Sequence, residues 1–360
     1  MEKMIKLSNF YRNKKVMITG VTGFKGSWLA LWLNKMGAKI FGVGFNPNKN
    51  KDLFYKLKLE KKIKLDFYDI RNFKKLDKSI KKYKPSIIFH LAAQPLIYYS
   101  YSNPYNTFDI NIRGTLNVLE SVRKNKFVKS LIIVTSDKCY ESNDSTKGFK
   151  ENDRLGGIDP YSASKASAEI TARAYRKSFF NSKKRVLGIS TARAGNVIGG
   201  GDWSEKRLIP DCIRSIIRKK TILIRNPNFN RPWQHVLEPL KGYLILAKKQ
   251  FEQPKKYSSA WNFGTKPNSI TDVKTIVSMI VKRWGSGKLK TKKSRFYEQI
   301  NLQLSIKKSK KFLGWQPTYN VKKSIEVTTD WYKKVLKSKN DPLKITSEQI
   351  DEYLKKSEIL

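Results

Sequence analysis

Acidic residues are scarce in this chain of 360 residues. It has 29 Asp and Glu against 74 Lys and Arg, which gives a formal net charge of +45. A balance this basic suggests a nucleic-acid partner. The lysines, however, run all along the chain, for example through residues 56–84, 288–311 and 333–356, rather than in clusters interleaved with exposed aromatics. We therefore predict that most of the charge lies on solvated faces and that no nucleic acid is bound.

Cysteines and long apolar runs are also lacking. Cys139 and Cys212 are too few for a disulfide framework, which favours a reducing cytoplasm. The first fifteen residues carry no apolar core of signal-peptide length, and no uncharged run approaches the roughly 20 residues of a membrane span. Hydrophobic residues still make up 39% of the chain, enough for a sizeable core. We expect a cytoplasmic protein of one or two domains with no membrane segment.

Short apolar runs alternate with amphipathic stretches over the first 195 residues. We predict strands at 16–19, 40–43, 63–67, 87–90, 131–135 and 186–192, and helices at 27–36, 73–83, 107–123 and 161–179. This rhythm predicts an α/β fold, a Rossmann-type doubly wound parallel sheet.

Glycines and prolines break the rhythm after residue 195. Further helices are predicted at 208–218, 271–283 and 321–335. We assign residues 1–195 mainly to a dinucleotide-binding domain and residues 196–335 mainly to a smaller α+β substrate-binding lobe, with some exchange of segments. Residues 336–360 form a C-terminal tail whose structure the sequence does not indicate.

A glycine-rich loop joins the first predicted strand to the first predicted helix. Gly20, Gly23 and Gly26 allow a tight turn and close backbone approach, and a helix start presents N–H groups to a pyrophosphate. We predict a dinucleotide site, and its candidate residues are Gly20, Thr22, Gly23, Phe24, Lys25, Gly26, Asn46, Asp69, Ile70, Leu91, Ala92, Ala93, Tyr161 and Lys165.

The ribose position leaves the choice of dinucleotide open. An acidic residue about 20 positions after the loop usually holds the adenosine ribose, and this chain has Asn46 there. An amide can bond the ribose but does not repel a 2′-phosphate, and Lys49 and Lys51 are close in sequence. We predict NAD and keep NADP as the alternative. Asp69 either meets the adenine or caps a helix.

Two further motifs indicate proton chemistry. Tyr161 and Lys165 lie one turn apart on a predicted helix, where the lysine should lower the pKa of the phenol from about 10 toward neutrality. The phenol could then take a hydroxyl proton as hydride leaves the same carbon. Ser136, Asp137 and Lys138 follow the fifth predicted strand, at the edge where such sheets carry their chemistry. They add an acid and a base that a plain dehydrogenase does not need, or else form a turn with a solvated lysine.

The motifs resemble those of the extended short-chain dehydrogenase/reductases. The matching segments are TGFKGSWLALWL at 22–33, HLAAQPL at 90–96, TSDKCYE at 135–141, DPYSASKASAE at 159–169, ARAGNVIGGGDW at 192–203, LIPDCIR at 208–214 and RPWQHVLEPLKGY at 231–243. TSDK, GNVIGGGDW and RPWQHVLEP are similar to the CDP-glucose 4,6-dehydratase branch of that family. Asn46 and Arg154 depart from the branch, where Asp and Pro are usual.

The resemblance implies a lyase with tightly bound NAD that converts CDP-glucose to CDP-4-dehydro-6-deoxyglucose. Tyr161, assisted by Ser136 and Lys165, would take the C4 hydroxyl proton. Asp137 would protonate the departing C6 hydroxyl. Lys138, where relatives often have Glu, would remove the C5 proton as a neutral amine of depressed pKa. The alternatives are another nucleotide-sugar 4,6-dehydratase, a 4-epimerase or, from a different class, an RNA-binding protein on the same fold.

The resemblance also implies substrate contacts and an assembly. An arginine fork suits a diphosphate, and the candidate substrate-binding residues are Gln94, Ser136, Asn196, Asp202, Trp203, Arg207, Leu208, Arg231 and Trp233. The two tryptophans either stack on the substrate or pack in the core. His235 is expected to be structural, and we predict no metal site. Helices 107–123 and 161–179 resemble a dimer interface, so we predict a homodimer or a dimer of dimers, serving deoxysugar and surface polysaccharide (lipopolysaccharide) synthesis.

Overall fold

The computed structural model of the chain describes residues 2–45, 47–49, 52–141, 148–182, 185–266, 269–292 and 302–357. Its strands are β1 Lys15–Thr19, β2 Lys39–Gly44, β3 Lys64–Phe67, β4 Ile87–His90, β5 Ser130–Val134, β6 Asn181–Ser182, β7 Arg185–Val186, β8 Gly188–Arg193, β9 Val197–Ile198, β10 Ile222–Arg225, β11 Asn230–Arg231, β12 Gln234–His235, β13 Ala260–Asn262, β14 Thr271–Asp272 and β15 Leu289–Lys292.

Helices lie between most of these strands. They are α1 Glu2–Tyr11, α2 Phe24–Lys35, α3 Leu53–Lys56, α4 Phe73–Tyr83, α5 Ile97–Ser102, α6 Pro104–Phe108, α7 Gly114–Lys124, α8 Pro160–Phe179, α9 Leu208–Ile217, α10 Leu237–Glu252, α11 Pro254–Tyr257, α12 Val273–Trp284, α13 Val321–Leu336 and α14 Pro342–Lys356. Single turns of 3₁₀ helix occur at Leu59–Lys61 and Asp137–Cys139, and π-helical turns occur at Asp109–Arg113 and Ser309–Leu313.

Seven parallel strands form the central sheet in the order β13-β8-β5-β4-β1-β2-β3. Strand order reverses between β1 and β4, since β2 and β3 lie on one side and the later strands on the other. This doubly wound arrangement confirms the predicted Rossmann-type α/β fold. The carboxyl ends of β1 and β4 open a crevice at that switch point, which is where such sheets bind ligands.

Helices cover both faces of the sheet and bury its apolar strands. One face packs against α2 and α10, through side chains that include Trp28, Trp32 and Leu240. The opposite face packs against α4, α7 and α8, through side chains that include Leu119 and Ala172. Burial on both faces explains why the strands read as continuous apolar runs instead of alternating patterns.

The ends of the predicted strands and helices lie within three residues of those observed, and one predicted helix is divided. The helix expected at 107–123 is split into α6, a π-helical turn and α7. The described elements that were not predicted include β13, α10 and α14. β13 carries the chain back from the lobe to the edge of the sheet, α10 packs beneath it, and α14 occupies most of the tail that the sequence left unassigned.

Candidate active site

A cavity of about 980 Å³ lies at the carboxyl ends of β1, β4, β5 and β8. It extends from the glycine-rich loop to the lobe formed by the later residues. The predicted site residues that line it are Gly20, Thr22, Gly23, Phe24, Lys25, Gly26, Asp69, Ile70, Leu91, Ala92, Ala93, Ser136, Asp137, Lys138, Tyr161, Lys165, Asn196, Asp202, Arg207, Leu208, Arg231 and Trp233. The fold therefore brings segments more than 200 residues apart to one opening.

The glycine-rich loop has a shape that side chains would fill. Gly20 has φ +72°, and a Cβ there would stand 2.7 Å from the backbone N of Ala92. A Cβ on Gly26 would overlap the Gly20 carbonyl. Gly23 is the N-cap of α2, and no side chain caps that helix end. The first turn of α2 thus faces the cavity in the manner of a pyrophosphate-binding loop.

Asp69 and Ile70, the predicted adenine contacts, line the cavity. The Asp69 carboxylate accepts hydrogen bonds from the Arg71 side chain at 2.9 and 2.5 Å, which hold its pKa below the usual value. Asp69 also bonds the Arg71 backbone, whereas α4 is capped by Asn72. Asp69 therefore does not cap the helix. The predicted ribose contact, Asn46, lies outside the described residues.

The proposed catalytic groups meet at the end of β5. The side chain of Tyr161, in the first turn of α8, lies beside Ser136, which favours its phenolate form. Ser136 in turn donates to Asp137 Oδ1 at 2.8 Å and accepts from the Lys138 backbone N–H at 3.2 Å. Lys165 donates to the Val134 carbonyl at 3.4 Å. A phenol, a carboxyl group and two amines therefore surround one end of the cavity.

Asp137 is held against a glycine of the neighbouring strand end. Its side chain is buried, and a Cβ on Gly195 would overlap both the Oδ2 atom and the carboxyl carbon. The Oδ2 atom has no hydrogen-bond partner within the described part of the chain. Gly195 therefore supplies the space that this carboxyl group occupies.

Burial shifts the proton affinities of the site. It raises the pKa of Tyr161 to about 12, so the predicted lowering toward neutrality is wrong for the protein itself. Desolvation of the phenolate outweighs the help that its neighbours provide. Burial also lowers the pKa of Lys165 to about 8 and that of Lys25 to about 8, the latter with help from Arg207 and Lys165. Both lysines are close to titrating at neutral pH.

Cations dominate the lobe side of the cavity. Arg207 forms an ion pair of 3.0 Å with Asp202. Arg231 is buried on β11, where it donates to the Asn230 carbonyl at 3.2 Å and its guanidinium lies 5.3 Å from the Phe229 ring centroid. Trp233 is also buried, and its indole N–H has no partner among the described residues.

The C-terminal helices support this wall from behind. Tyr332 on α13 donates to the Asp202 carbonyl at 2.5 Å. A Cβ on Gly200 would overlap the Trp331 ring, and Trp28 on α2 donates to the Gly200 carbonyl at 3.0 Å. The segment that carries Asp202 is thus held between α2 and α13.

Two predicted substrate residues do not line the cavity. The Gln94 amide bonds Leu96 in its own loop and the hydroxyl of Thr107 on α6. Trp203 packs edge-on against Tyr332 with ring centroids 5.2 Å apart. Both side chains serve the structure around the site.

Sequence reasoning also missed several residues of the cavity wall. The unassigned basic residues are Lys206, Arg214, Arg218 and Lys220. Arg214 ends the LIPDCIR segment, and it donates to the carbonyls of Trp203 and Ser204 at 2.9 and 3.1 Å. The LIPDCIR motif could have indicated these residues, because it forms the start of α9, which lines the cavity.

His235 does not line the cavity. His235 is fully buried, burial lowers its pKa to about 3, and its ring packs edge-on against Trp28. No group of three His, Cys, Asp or Glu residues in the described ranges is arranged to hold a metal ion. The described helices also include none that is both long and apolar enough to cross a membrane.

Comparisons with known proteins agree with this geometry. The chain is 40% identical to CDP-glucose 4,6-dehydratase of Salmonella typhimurium (strain LT2) over 351 residues, covering 96% of this chain and 98% of the relative. It is 27% identical to a UDP-glucuronate 4-epimerase of Thermodesulfobacterium geofontis, covering 88% and 95%.

Solved structures share the fold at lower identity. dTDP-glucose 4,6-dehydratase from Bacillus anthracis, in complex with NAD, matches with a TM-score of 0.75 at 23% identity, covering 90% of this chain and 98% of that one. UDP-glucose 4-epimerase from Thermotoga maritima, with UDP-glucose, matches with a TM-score of 0.78 at 21% identity, covering 89% and 99%. The GDP-mannose 4,6-dehydratase family model matches residues 17–328. Together with the Tyr161–Ser136–Asp137 cluster and the glycine-rich loop, these matches confirm the predicted resemblance, and the chain belongs to the GDP-mannose 4,6-dehydratase family.

Proposed function

We propose that this protein is a CDP-glucose 4,6-dehydratase that uses NAD. The observation that carries the proposal is the near full-length match, at 40% identity, to a protein of that name. The cavity supports it chemically, because a phenol, a carboxyl group and two amines lie where a sugar could meet a dinucleotide. A 4-epimerase needs no acid and base pair of the Asp137-Lys138 kind.

The residues of the cradle fit the cofactor. Gly20 and Gly26 leave room that a Cβ would fill, and the uncapped start of α2 suits the pyrophosphate. NAD bound there would supply the acceptor for hydride from C4 and the donor of hydride to C6. Its nicotinamide cation would favour the phenolate of Tyr161, opposing the effect of burial. The same cradle could accept NADP.

Tyr161 acts first in the proposed mechanism. Its phenolate takes the proton of the C4 hydroxyl, and Ser136, whose side chain lies beside Tyr161, hydrogen-bonds the same oxygen. Lys165, one turn along α8, keeps a positive charge near the phenolate while its pKa of about 8 allows protonation at neutral pH. The C4 carbon becomes a ketone, which acidifies the hydrogen on C5.

Asp137 and Lys138 then divide the elimination. The Lys138 side chain removes the C5 proton, the C5–C6 double bond forms, and the C6 oxygen leaves as water with a proton from Asp137. After hydride reaches C6, the Lys138 ammonium returns a proton to C5. The half-buried position of Lys138 on the cavity wall supports this role. Transfer of the proton on Tyr161 to Asp137, through solvent, restores both groups, so the net change is the loss of one water.

The basic wall suits the nucleotide diphosphate that the substrate carries throughout the reaction. Arg207 and Arg231 lie on the lobe side, and a guanidinium fork matches phosphate oxygens. Asn196, whose backbone has φ +45°, lies between this wall and the catalytic end. The substrate would therefore span from the lobe to Tyr161.

The test is turnover of nucleotide sugars by the purified protein. CDP-, dTDP-, UDP- and GDP-linked glucose are each incubated with the protein and NAD, and the 4-keto-6-deoxy product is followed by NMR. We expect product from CDP-glucose, with Tyr161→Phe inactive and Tyr98→Phe, which alters another cavity tyrosine, active. Turnover of no sugar, or of dTDP-glucose alone, would contradict the proposal. Interconversion of C4 epimers without loss of water would identify an epimerase instead.

We also propose a homodimer or dimer of dimers, formed through α7 and α8. Leu116, Ile170 and Phe179 on these helices are exposed apolar side chains, which supports a partner helix pair. Ile170→Lys should leave a monomer by light scattering, and an unchanged mass would contradict this interface.

The two buried free cysteines support a reducing cytoplasm, and the family resemblance supports a place in surface polysaccharide synthesis.

A further inference from the structure

A buried carboxylate lies beneath the catalytic residues. Glu169 belongs to α8, one turn after Lys165 and two turns after Tyr161, and only 2% of its surface is exposed. Its Oε1 accepts from the Thr135 hydroxyl at 2.5 Å. Its Oε2 accepts from the Thr191 hydroxyl at 2.7 Å and from Arg193 at 2.7 Å.

These three donors come from the two strands that end at the active site. Thr135 follows β5 and directly precedes Ser136. Thr191 and Arg193 belong to β8, which leads within two residues to Gly195 and Asn196. One carboxylate therefore ties α8, which carries Tyr161, to the ends of both strands.

The carboxylate also supplies charge next to Lys165. Burial alone would raise the pKa of Glu169, but Arg193 and the hydrogen bonds hold it below the usual value, so the group is ionised. Its charge favours the protonated form of Lys165. The other titratable groups facing that lysine are Cys139 after β5, Lys25 on α2 and His90 on β4. Burial raises the pKa of the Cys139 thiol, which is therefore neutral, so Glu169 is the group that favours protonation of Lys165, whereas Lys25 is a like charge.

Stability alone does not account for this arrangement. A buried ion pair often contributes no more stability than apolar side chains of the same volume, because both charges must be desolvated. The hydrogen bonds of Glu169, in contrast, have the directions needed to fix three backbone segments. That geometry points to a role in the active site.

We propose that Glu169 is a positioning residue, which holds the ends of β5 and β8 against α8 and keeps Lys165 protonated for the reaction. The proposal rests on the proposed function, since its main assay is dehydration. It assigns no contact with the substrate. Its effect passes through Lys165 and through the strand ends that carry Ser136 and Asn196.

The test compares Glu169→Gln with a matched variant, Glu238→Gln. Glu238 is also a fully buried carboxylate with three donors, the backbone N–H groups of Thr318 and Tyr319 and the Tyr353 hydroxyl, and it does not line the cavity. Both variants should lower the thermal midpoint. Only Glu169→Gln should lower kcat, about tenfold or more at nearly constant KM, and move the basic limb of the kcat–pH profile to lower pH.

A second variant separates the effect of the Glu169 charge from the effect of its side-chain length. Glu169→Asp keeps the charge but is one methylene shorter, so kcat should fall while the basic limb stays near its wild-type position. The proposal would be overturned if the kcat–pH profiles of Glu169→Gln and Glu238→Gln coincide. It would also be overturned if Glu169→Asp moves the basic limb as far as Glu169→Gln does.

Binding separates this proposal from the proposed function. If the wild-type protein dehydrates no nucleotide sugar, the function fails, and titration with NAD across pH still tests Glu169. We expect Glu169→Gln to lose NAD affinity at a lower pH than the wild type, with Glu238→Gln unchanged. Identical NAD titrations for all three proteins would refute the role of Glu169 independently of the reaction.

Discussion

Replacing Gly195 with alanine adds one methyl group at the most crowded point of the site. The new Cβ would overlap Asp137 Oδ2 and stand 2.8 Å from Oδ1, whereas Cβ atoms essentially never come within 3.0 Å of another heavy atom. Asp137 is buried, so its carboxyl group cannot rotate freely away. We estimate that it must move by more than about 1 Å, a displacement that can cost about 100-fold in rate.

The decrease in rate should be confined to the elimination of water. Asp137 protonates the leaving C6 oxygen, whereas Tyr161 and Lys165 on α8 serve the oxidation of C4. We therefore expect Gly195→Ala to reduce formation of the 4-keto-6-deoxy product by about 100-fold, or about 2.7 kcal/mol in activation free energy. The rate at which enzyme-bound NAD is reduced after mixing with CDP-glucose, measured by absorbance, should fall by less than about fivefold.

A glycine in the core provides the control. A Cβ on Gly242, in α10, would overlap the Phe263 ring, and neither residue lines the cavity. Gly242→Ala should therefore lower the thermal midpoint and leave the two rates in their wild-type ratio. Wild-type dehydration by Gly195→Ala, or equal loss of both steps, would refute the assignment of Asp137 as the acid of the elimination.

Three other substitutions test the remaining parts of the site. Lys138→Ala should abolish exchange of the C5 hydrogen with deuterated solvent while NAD reduction survives; undiminished exchange would remove Lys138 as the base. Because burial lowers the pKa of Lys165 to about 8, the unfolded chain binds more protons than the folded one between pH 8 and 10.5, so stability from this group rises with pH in that range. Denaturant titrations should show this rise in the wild type relative to Lys165→Met, and parallel curves would contradict the shift. Tyr332→Phe removes the hydroxyl that donates to the Asp202 carbonyl and should raise KM about fivefold, as expected for about 1 kcal/mol. Tyr353→Phe, which removes a buried hydroxyl far from the cavity, should leave KM unchanged.

Local patterns were sufficient for most of the fold. The strand–loop–helix at residues 15–35 was readable because glycine spacing and apolar runs act over a few residues. The Tyr161 and Lys165 pair was readable for the same reason, since a helix places residues four apart on one face. In contrast, β13 has three residues and its partner β8 lies about 70 positions earlier, so no local signal announces it. The helix α14 is polar on its outer side and gains its stability from contacts such as that between Tyr353 and Glu238.

The sequence by itself determined which chemical groups are present and the order in which they follow the strands. It also determined the family, because the motifs and their spacing are properties of the chain. Only the tertiary structure decided which groups are effective together. Burial raised the pKa of Tyr161 instead of lowering it, withdrew Gln94 and Trp203 from the cavity, and placed the Asp137 carboxyl group against Gly195. Desolvation and contact depend on segments that meet in space, and no spacing along the chain expresses them.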